Sequence, residues 1–145
     1  MLTAIARKGN FKMEINEMRI NESTYVDTAE NAIKELVKES KQKNQNIVTT
    51  SKIRNLLAMT ADIYNQVLTS QGKILTEDVK GRIEYLRVRF MYECGREPKV
   101  NEFVQKAQIL GILQEIGQSK KNYLLFSRYM EALVAFHRYY GGQDK

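Results

Sequence analysis

The chain has 145 residues, the length of one domain, and its single proline and 8 glycines favour a helical domain over a β-sandwich, which would need many turns. Lys and Arg outnumber Asp and Glu by 23 to 17, and this excess suggests nucleic acid or another polyanion as partner. One cysteine leaves no internal disulfide, and no apolar run reaches the length of a transmembrane helix or a signal peptide. We therefore expect a soluble, cytoplasmic protein without a membrane partner.

The first predicted elements in chain order are an arm and a helix. Residues 1–26 show no clear helical period, so we expect a peripheral N-terminal arm. Asp27 and Glu30 have the spacing of a capping box, with Asp where Ser or Thr is usual, and they predict a helix start. A polar linker over residues 41–46 then separates this helix from the next.

The stretch Thr49–Leu68 predicts the central helix, because its apolar residues recur every three or four positions. Its candidate N-caps are Thr49, Thr50 and Ser51. Lys52 and Arg54 follow, where the helix dipole favours acids. Either a phosphate docks there and meets both cations and the free N–H groups, or the two side chains bend away into water.

The third predicted helix begins at Thr76 and carries two stripes. Its core stripe is Val79, Ile83, Leu86, Phe90 and Cys94, which predicts a buried thiol. Its second stripe alternates arginine with tyrosine: Arg82, Tyr85, Arg89, Tyr92 and Arg96. Arginine binds phosphate and tyrosine stacks on unpaired bases, so this stripe is a candidate nucleic-acid surface, which Lys80 and Arg87 extend around the other side. The alternative is a solvated face whose arginines pair with acids of neighbouring helices.

Pro98 predicts a break and the start of a fourth helix, which should reach about Ile116 and end at Gly117. A fifth helix follows over Tyr123–Tyr140, capped by Ser119 or Asn122.

The fifth helix is apolar on nearly all sides, so it should lie in the middle of a bundle or beneath a partner. Lys120 and Lys121 crowd its start and are further candidate anion-binding residues. The predicted fold is therefore all-α: a single-domain five-helix bundle over residues 27–142, with a tail at 143–145.

The sequence lacks the residues that catalysis would need. One histidine and one cysteine do not supply the usual ligands of a zinc site, and no phosphate-binding glycine loop or nucleophile elbow is present. We expect no enzyme, no metal and no cofactor, and a structural role for His137. A helix-turn-helix DNA reader is disfavoured because its second helix would present apolar side chains to the groove.

Three segments, Thr49–Asn65, Arg82–Glu97 and Phe126–Gly142, resemble in this order the small subunit of the type III-A CRISPR Csm effector complex. The likeness spans residues 28–142 and does not include the arm. It implies a non-catalytic helical bundle that assembles in several copies, beside other Csm subunits, along the duplex of guide RNA and target RNA.

The resemblance implies that Lys52, Arg54, Arg82 and Arg89 touch RNA phosphates, contacts that position an RNA without reading its sequence. Glu at both Lys52 and Arg54 should then weaken RNA binding while leaving stability equal or slightly higher. Two alternatives remain open: a generic helical protein-interaction module and a DNA-binding regulator.

Overall fold

Six helices form within residues 18–143, the part of the chain that the computed structural model describes. They are α1 (Tyr25–Gln42), α2 (Thr50–Thr69), α3 (Glu77–Arg96), α4 (Pro98–Lys106), α5 (Ile109–Glu115) and α6 (Lys120–Tyr139). The all-α class is confirmed, and the count of five helices is too low by one.

The apolar helix α6 lies at the centre of the bundle, which is the first of the two positions predicted for it. It packs against α2, α1 and α5, while α3 covers α2 and α4. Its fully buried side chains include Tyr123, Phe126, Tyr129, Met130 and Leu133. The hydroxyls of the two buried tyrosines donate to the backbone oxygens of Thr60 and Ala107, so burial leaves neither hydroxyl without a partner.

The fourth predicted helix is in fact two helices, α4 and α5, because the chain turns at Gln108. This residue adopts a left-handed conformation with φ of 57°. The buried residues before the turn (Val100, Phe103, Val104 and Ala107) and those after it (Ile109, Ile112, Leu113 and Ile116) would lie on opposite sides of one straight helix. The break at Gln108 turns both sets of apolar residues towards one core. A prediction that assumes one continuous helical period does not place a break there.

The predicted capping box at Asp27 is wrong. Helix α1 begins earlier, at Tyr25, with Thr24 in the N-cap position and no side-chain cap hydrogen bond. The side chain of Asn21 instead accepts the N–H groups of Ser23 and Thr24, at 2.8 and 3.0 Å, and forms the turn that starts the helix. Asp27 lies within the first turn, where its charge suits the dipole.

The described end of the predicted arm packs on the bundle. Ile20 is 1% exposed and belongs to the core. Arg19 forms an ion pair with Glu115 at 2.7 Å, and its guanidinium lies on Gly111, where a Cβ atom would come within 2.6 Å of it. This part of the arm is therefore not peripheral, while residues 1–17 lie outside the described residues.

The other predicted helix starts are confirmed. Thr49, Thr76 and Ser119 each accept the backbone N–H group of the residue three positions on, at 3.4, 3.2 and 3.1 Å. The prediction for Cys94 is only partly met, because its thiol is half-buried. Burial, and next the charge of Glu93, raise the pKa of this thiol.

Candidate nucleic-acid interface

Basic residues line the seam where α2 packs beside α3. A groove of about 550 Å³ lies between the two helices. Its charged lining residues are both basic and acidic: Arg82, Arg89, Glu77 and Asp78 on the α3 side and Asp62 on the α2 side, with Tyr85 and Met59 between them. A smaller cavity of about 200 Å³, lined by Lys52 and Arg96, lies where α2 begins and α3 ends. The structure thus brings four basic residues, far apart in sequence, to one helix pair.

Arg82 is held at this seam by neutral acceptors. Its guanidinium donates to the side-chain oxygen of Gln66 and, at 3.5 Å, to the backbone oxygen of Asp62. Gln66 in turn donates to the carboxylate of Asp78 at 2.8 Å. Because no carboxylate of residues 18–143 forms an ion pair with it, the guanidinium keeps its charge available while its position is fixed.

Arg89 is exposed and has no hydrogen bond or ion pair within residues 18–143. Tyr85 and Tyr92, on the same side of α3, are 62% and 61% exposed. Within residues 18–143, Arg96 forms an ion pair with one acid, Glu93 of the same helix, at 3.9 Å. The alternative for this stripe was that its arginines pair with acids of neighbouring helices. Within residues 18–143, none of the three arginines forms such a pair.

The start of α2 separates Lys52 from Arg54, because two residues along a helix turn it by about 200°. Lys52 forms an ion pair with Glu97 at 3.1 Å, whereas Arg54 is exposed and has no ion pair with any described residue. The N–H of Thr50 donates to the carbonyl of Gln143 at 2.6 Å. Both the first N–H group and one cation thus have partners within the fold.

The remaining four predicted residues also include cations with partners in the fold and one without an ion pair. Lys80 and Arg87 form ion pairs one helical turn away, with Glu77 at 2.7 Å and Glu84 at 3.1 Å. Lys120 donates to the backbone oxygens of Ser70, at 2.7 Å, and Leu68, at 3.4 Å, and so stabilises the end of α2. Lys121 is exposed, without an ion pair in the described residues.

His137 is fully buried, and its contacts support the predicted structural role. Its Nε2 lies 2.6 Å from the carbonyl oxygen of Val48, which can only accept, so Nε2 carries the proton. Its Nδ1 lies 3.4 Å from the hydroxyl of Thr50. Burial lowers the pKa of the ring, against the opposing effect of the Val48 carbonyl. The backbone of Gly142 packs on the imidazole, where an added Cβ atom would clash with the ring.

Sequence reasoning missed the residues that decide which cations are free. No local pattern predicts Glu97 as a partner of Lys52, and the spacing within α3 alone does not predict Asp62 and Gln66 as partners of Arg82. The spacing of Asp62 and Gln66, four residues apart on the exposed side of α2, was the available signal.

The described residues contain no group of three or more His, Cys, Asp or Glu side chains able to hold a metal ion. None of the helices in that range is long and apolar enough to cross a membrane.

Comparison with known proteins gives one family. The model of the family described as Csm2 Type III-A matches residues 27–143. A Streptococcus thermophilus protein named "CRISPR system Cms protein Csm2" is 42% identical over 125 residues, covering 86% of this chain and 98% of the relative. Proteins of the same name from Enterococcus italicus and Mycobacterium tuberculosis are 35% and 42% identical, over 88% and 72% of this chain and 97% and 85% of their own lengths.

Proposed function

The chain belongs to the Csm2 family of type III-A CRISPR systems, and we propose that it is the non-catalytic, RNA-binding small subunit of a Csm ribonucleoprotein. Several copies line the duplex of guide RNA and target RNA, beside the other Csm subunits, and contact its phosphates. The role belongs to antiviral defence in the cytoplasm. No cofactor enters the proposal.

The observation that supports RNA binding is the pair of arginines on α3. Arg82 and Arg89 line the groove beside α2, and neither has an ion pair within residues 18–143. A guanidinium whose charge is not compensated binds phosphate strongly and in a defined geometry. The exposed rings of Tyr85 and Tyr92 flank them and offer surfaces for an unpaired base.

The other basic residues have secondary places in the proposal. Arg54 and Lys121 are exposed without ion pairs in the described residues and extend the surface. Lys52 contributes when a phosphate competes with Glu97 for its ammonium group.

Lys80, Arg87 and Lys120 are the weakest of the proposed phosphate contacts. The first two already have acids one turn away, and the third holds backbone carbonyls of the fold. A phosphate would have to replace these existing partners.

We expect the isolated chain to bind RNA weakly and to cleave nothing. Contact with about two to four phosphates corresponds to non-specific dissociation constants of order 10⁻⁴–10⁻⁶ M. Several copies fixed along one RNA gain avidity through effective concentration. Nanomolar binding by a demonstrated monomer at physiological salt would contradict this expectation, and so would RNA cleavage that a point variant of the pure chain abolishes.

The test replaces Arg82 and Arg89 with alanine and measures target-RNA binding by the assembled complex as a function of salt. Affinity should fall equally for unrelated sequences. The slope of log affinity against log salt should flatten by about 0.9 per lost contact on a duplex, or about 0.7 on a single strand.

A matched control replaces Lys38 and Arg128 with alanine. These two residues are exposed on α1 and α6 and have no ion pairs in the described residues. This control removes the same charge and should change the slope little. Unchanged affinity and slope in the α3 variant would refute the proposed contacts. Gel shifts with single-stranded RNA, RNA duplex and DNA separate the proposal from a DNA-binding regulator and from an interaction module that binds none of them.

A further inference from the structure

The chain turns back on itself after α6 and covers the buried ring of His137. Gly142 is buried, and its N–H donates to the carbonyl of His137 at 2.8 Å. The carbonyl of the next residue, Gln143, accepts the N–H of Thr50 at 2.6 Å, which joins this segment to the start of α2. We call residues 141–143 the C-terminal turn.

The hydrogen bonds of His137 require a neutral ring. Its Nε2 donates to the carbonyl of Val48 at 2.6 Å, so its Nδ1 accepts from the hydroxyl of Thr50 at 3.4 Å. A second proton would make both ring nitrogens donors, and the Thr50 hydroxyl could no longer donate to the ring. Because Thr50 is 1% exposed and His137 is 0% exposed, bulk water does not reach either side chain.

The surroundings of the ring oppose a positive charge. The groups that contact it are the Val48 carbonyl, the Thr50 hydroxyl and the backbone of Gly142, which do not titrate. The guanidinium of Arg138, the next residue on α6, lowers the pKa of the ring further. The start of α2 adds the positive end of its helix dipole beside Thr50.

Two acids near this end of the bundle are engaged elsewhere. Glu30 on α1 accepts the hydroxyl of Tyr140, and Glu97 pairs with Lys52 on α2 at 3.1 Å. Neither carboxylate is among the groups that shift the pKa of His137. In the described part of the chain, a charged imidazolium would therefore be buried without an acid to compensate it, which is unfavourable.

We propose that the C-terminal turn is a latch that opens when His137 takes up a second proton. Opening lets water reach the ring and hydrate its charge while the helices stay packed. The turn is suited to this movement because Gly141 and Gln143 are exposed, and Gly141 has a φ of 101°. Glycine adopts such conformations readily, so the backbone can hinge there at little cost. A local opening of this kind needs less free energy than unfolding of the bundle.

The direction of the pH dependence follows from the two states of the latch. In the open state the ring of His137 meets water and takes up a proton near its ordinary pKa of 6.5, whereas burial lowers the pKa in the closed state. The ratio of open to closed latch should therefore rise as pH falls below 6.5, by up to about tenfold per pH unit. Well above 6.5 the ratio should not depend on this ring.

Hydrogen exchange of single backbone N–H groups, followed by NMR at pH 7.5 and 5.5, tests the latch. Each rate is divided by the intrinsic exchange rate at the same pH, which gives the protection of that N–H group. Protection of the Thr50 N–H, which is bonded to the C-terminal turn, should fall by up to about tenfold between these pH values.

Leu75 is the matched control within the same spectra. Its N–H lies just before α3 and donates to the carbonyl of Gln118, in another loop, at 2.8 Å. It is therefore the same kind of bond as the one from Thr50 to Gln143. Because His137 is the one histidine of the chain, the protection of Leu75 should change little between the two pH values.

Two variants separate the proton from the turn. His137→Gln keeps an amide donor for the carbonyl of Val48 but does not titrate, so the protection of Thr50 should become independent of pH. Gly142→Ala brings a Cβ atom against the ring and should lower the protection of Thr50 already at pH 7.5, by about tenfold. In both variants, the protection of Leu75 reports whether the bundle is folded.

Three results would overturn the latch. Unchanged protection of Thr50 in the parent would mean that the turn stays closed across this pH range. Equal losses at Thr50 and Leu75 would mean that the proton destabilises the whole bundle rather than the turn. A loss that persists in His137→Gln would assign the pH dependence to another group.

One consequence rests on the proposed function. Opening uncovers the start of α2, where Lys52 and Arg54 are two of the proposed phosphate contacts, and adds the charge of His137 beside them. The assembled complex should therefore bind target RNA about two- to fivefold more tightly at pH 5.5 than at pH 7.5. The same complex with His137→Gln should lack this difference, which controls for every other group that titrates.

The two experiments fail separately. If the exchange of Thr50 responds to pH but the RNA affinity of the parent and of His137→Gln changes alike, the latch stands without an effect on RNA. If replacing Arg82 and Arg89 with alanine leaves RNA binding intact, the proposed function fails, while the exchange result still decides the latch.

Discussion

The start of α2 and the outer side of α3 both place basic residues beside the seam between these helices. They differ in how many of their polar groups have partners within the fold. At the start of α2 the polar groups bond to one another: Thr50 with Gln143, His137 with Val48, and Lys52 with Glu97. We call this region the closed end of α2. On the outer side of α3 the charged and aromatic groups face solvent with few partners among the described residues.

The difference separates the residues that stabilise the fold from those that remain available for binding. Buried polar groups are costly to leave unpaired, so changes at the closed end should appear as lost stability. Exposed groups contribute little to stability, so changes on α3 should appear as lost binding.

His137→Ala should lower the free energy of unfolding by about 3 kcal/mol, since it opens a cavity and leaves the carbonyl of Val48 without its donor. Tyr85→Ala, on the outer side of α3, should change it by no more than about 0.5 kcal/mol. Urea unfolding at low protein concentration measures both without a contribution from self-association. Equal losses at the two positions would remove the distinction between the two regions.

A pair of glycines tests the same contrast with one added methyl group. Gly142→Ala should destabilise by about 1–3 kcal/mol, because the new Cβ atom would lie on the buried ring of His137. Gly81→Ala should stabilise by up to about 1 kcal/mol, because nothing lies near its Cβ position and alanine favours helix. Thermal unfolding measures both. A stabilising Gly142→Ala would mean that the C-terminal turn is not packed as described.

Sequence reasoning predicted what depends on neighbours within one helical turn. The caps at Thr49, Thr76 and Ser119 and the burial of α6 follow from local spacing, and all are observed. The turn at Gln108 was missed because it results from two apolar stripes that reach one core only when the helix breaks.

The candidate site was less predictable for the same reason. The spacing of Arg82 and Arg89 indicated their shared side of α3, but not that Gln66 and Asp62 hold the first of them. The pairing of Lys52 with Glu97 joins residues 45 positions apart, and no local pattern reports it.

The closed end of α2 should also make stability depend on pH. Burial lowers the pKa of His137 below its ordinary value of 6.5, so the unfolded chain takes up the proton first as pH falls. Stability is therefore fully present above that value. Below it, stability should fall by up to about 1.4 kcal/mol per pH unit until the folded ring is protonated too.

Urea unfolding between pH 7.5 and 5 measures this slope, and His137→Gln should largely remove it. Carboxylates titrate in the lower part of the range in both proteins, so the difference between the two profiles isolates the histidine. Identical profiles would show that the ring titrates alike in the folded and unfolded states.

The smallest expected effect separates Lys52 from Arg54, which the sequence treats as one pair. Both oppose the helix dipole, so glutamate at either position should gain about 0.3–1 kcal/mol if the dipole alone decided. Arg54 has no ion pair with the described residues, and Arg54→Glu should show this gain. Lys52→Glu instead loses the contact with Glu97, worth about 0.2–1 kcal/mol at such exposure, and places two carboxylates together.

We therefore expect Lys52→Glu to be neutral or slightly destabilising, in the opposite direction to Arg54→Glu. Adding Glu97→Gln to Lys52→Glu should make the double variant about as stable as Arg54→Glu. The second change removes the repulsion between the two carboxylates and leaves only the favourable interaction of the introduced glutamate with the helix dipole. Equilibrium unfolding of the three variants at low salt gives the order of their free energies of unfolding. High salt should reduce the differences between them, because it screens the charges. If Lys52→Glu and Arg54→Glu stabilise equally, the ion pair with Glu97 contributes nothing, and Lys52 is as free to meet a phosphate as Arg54.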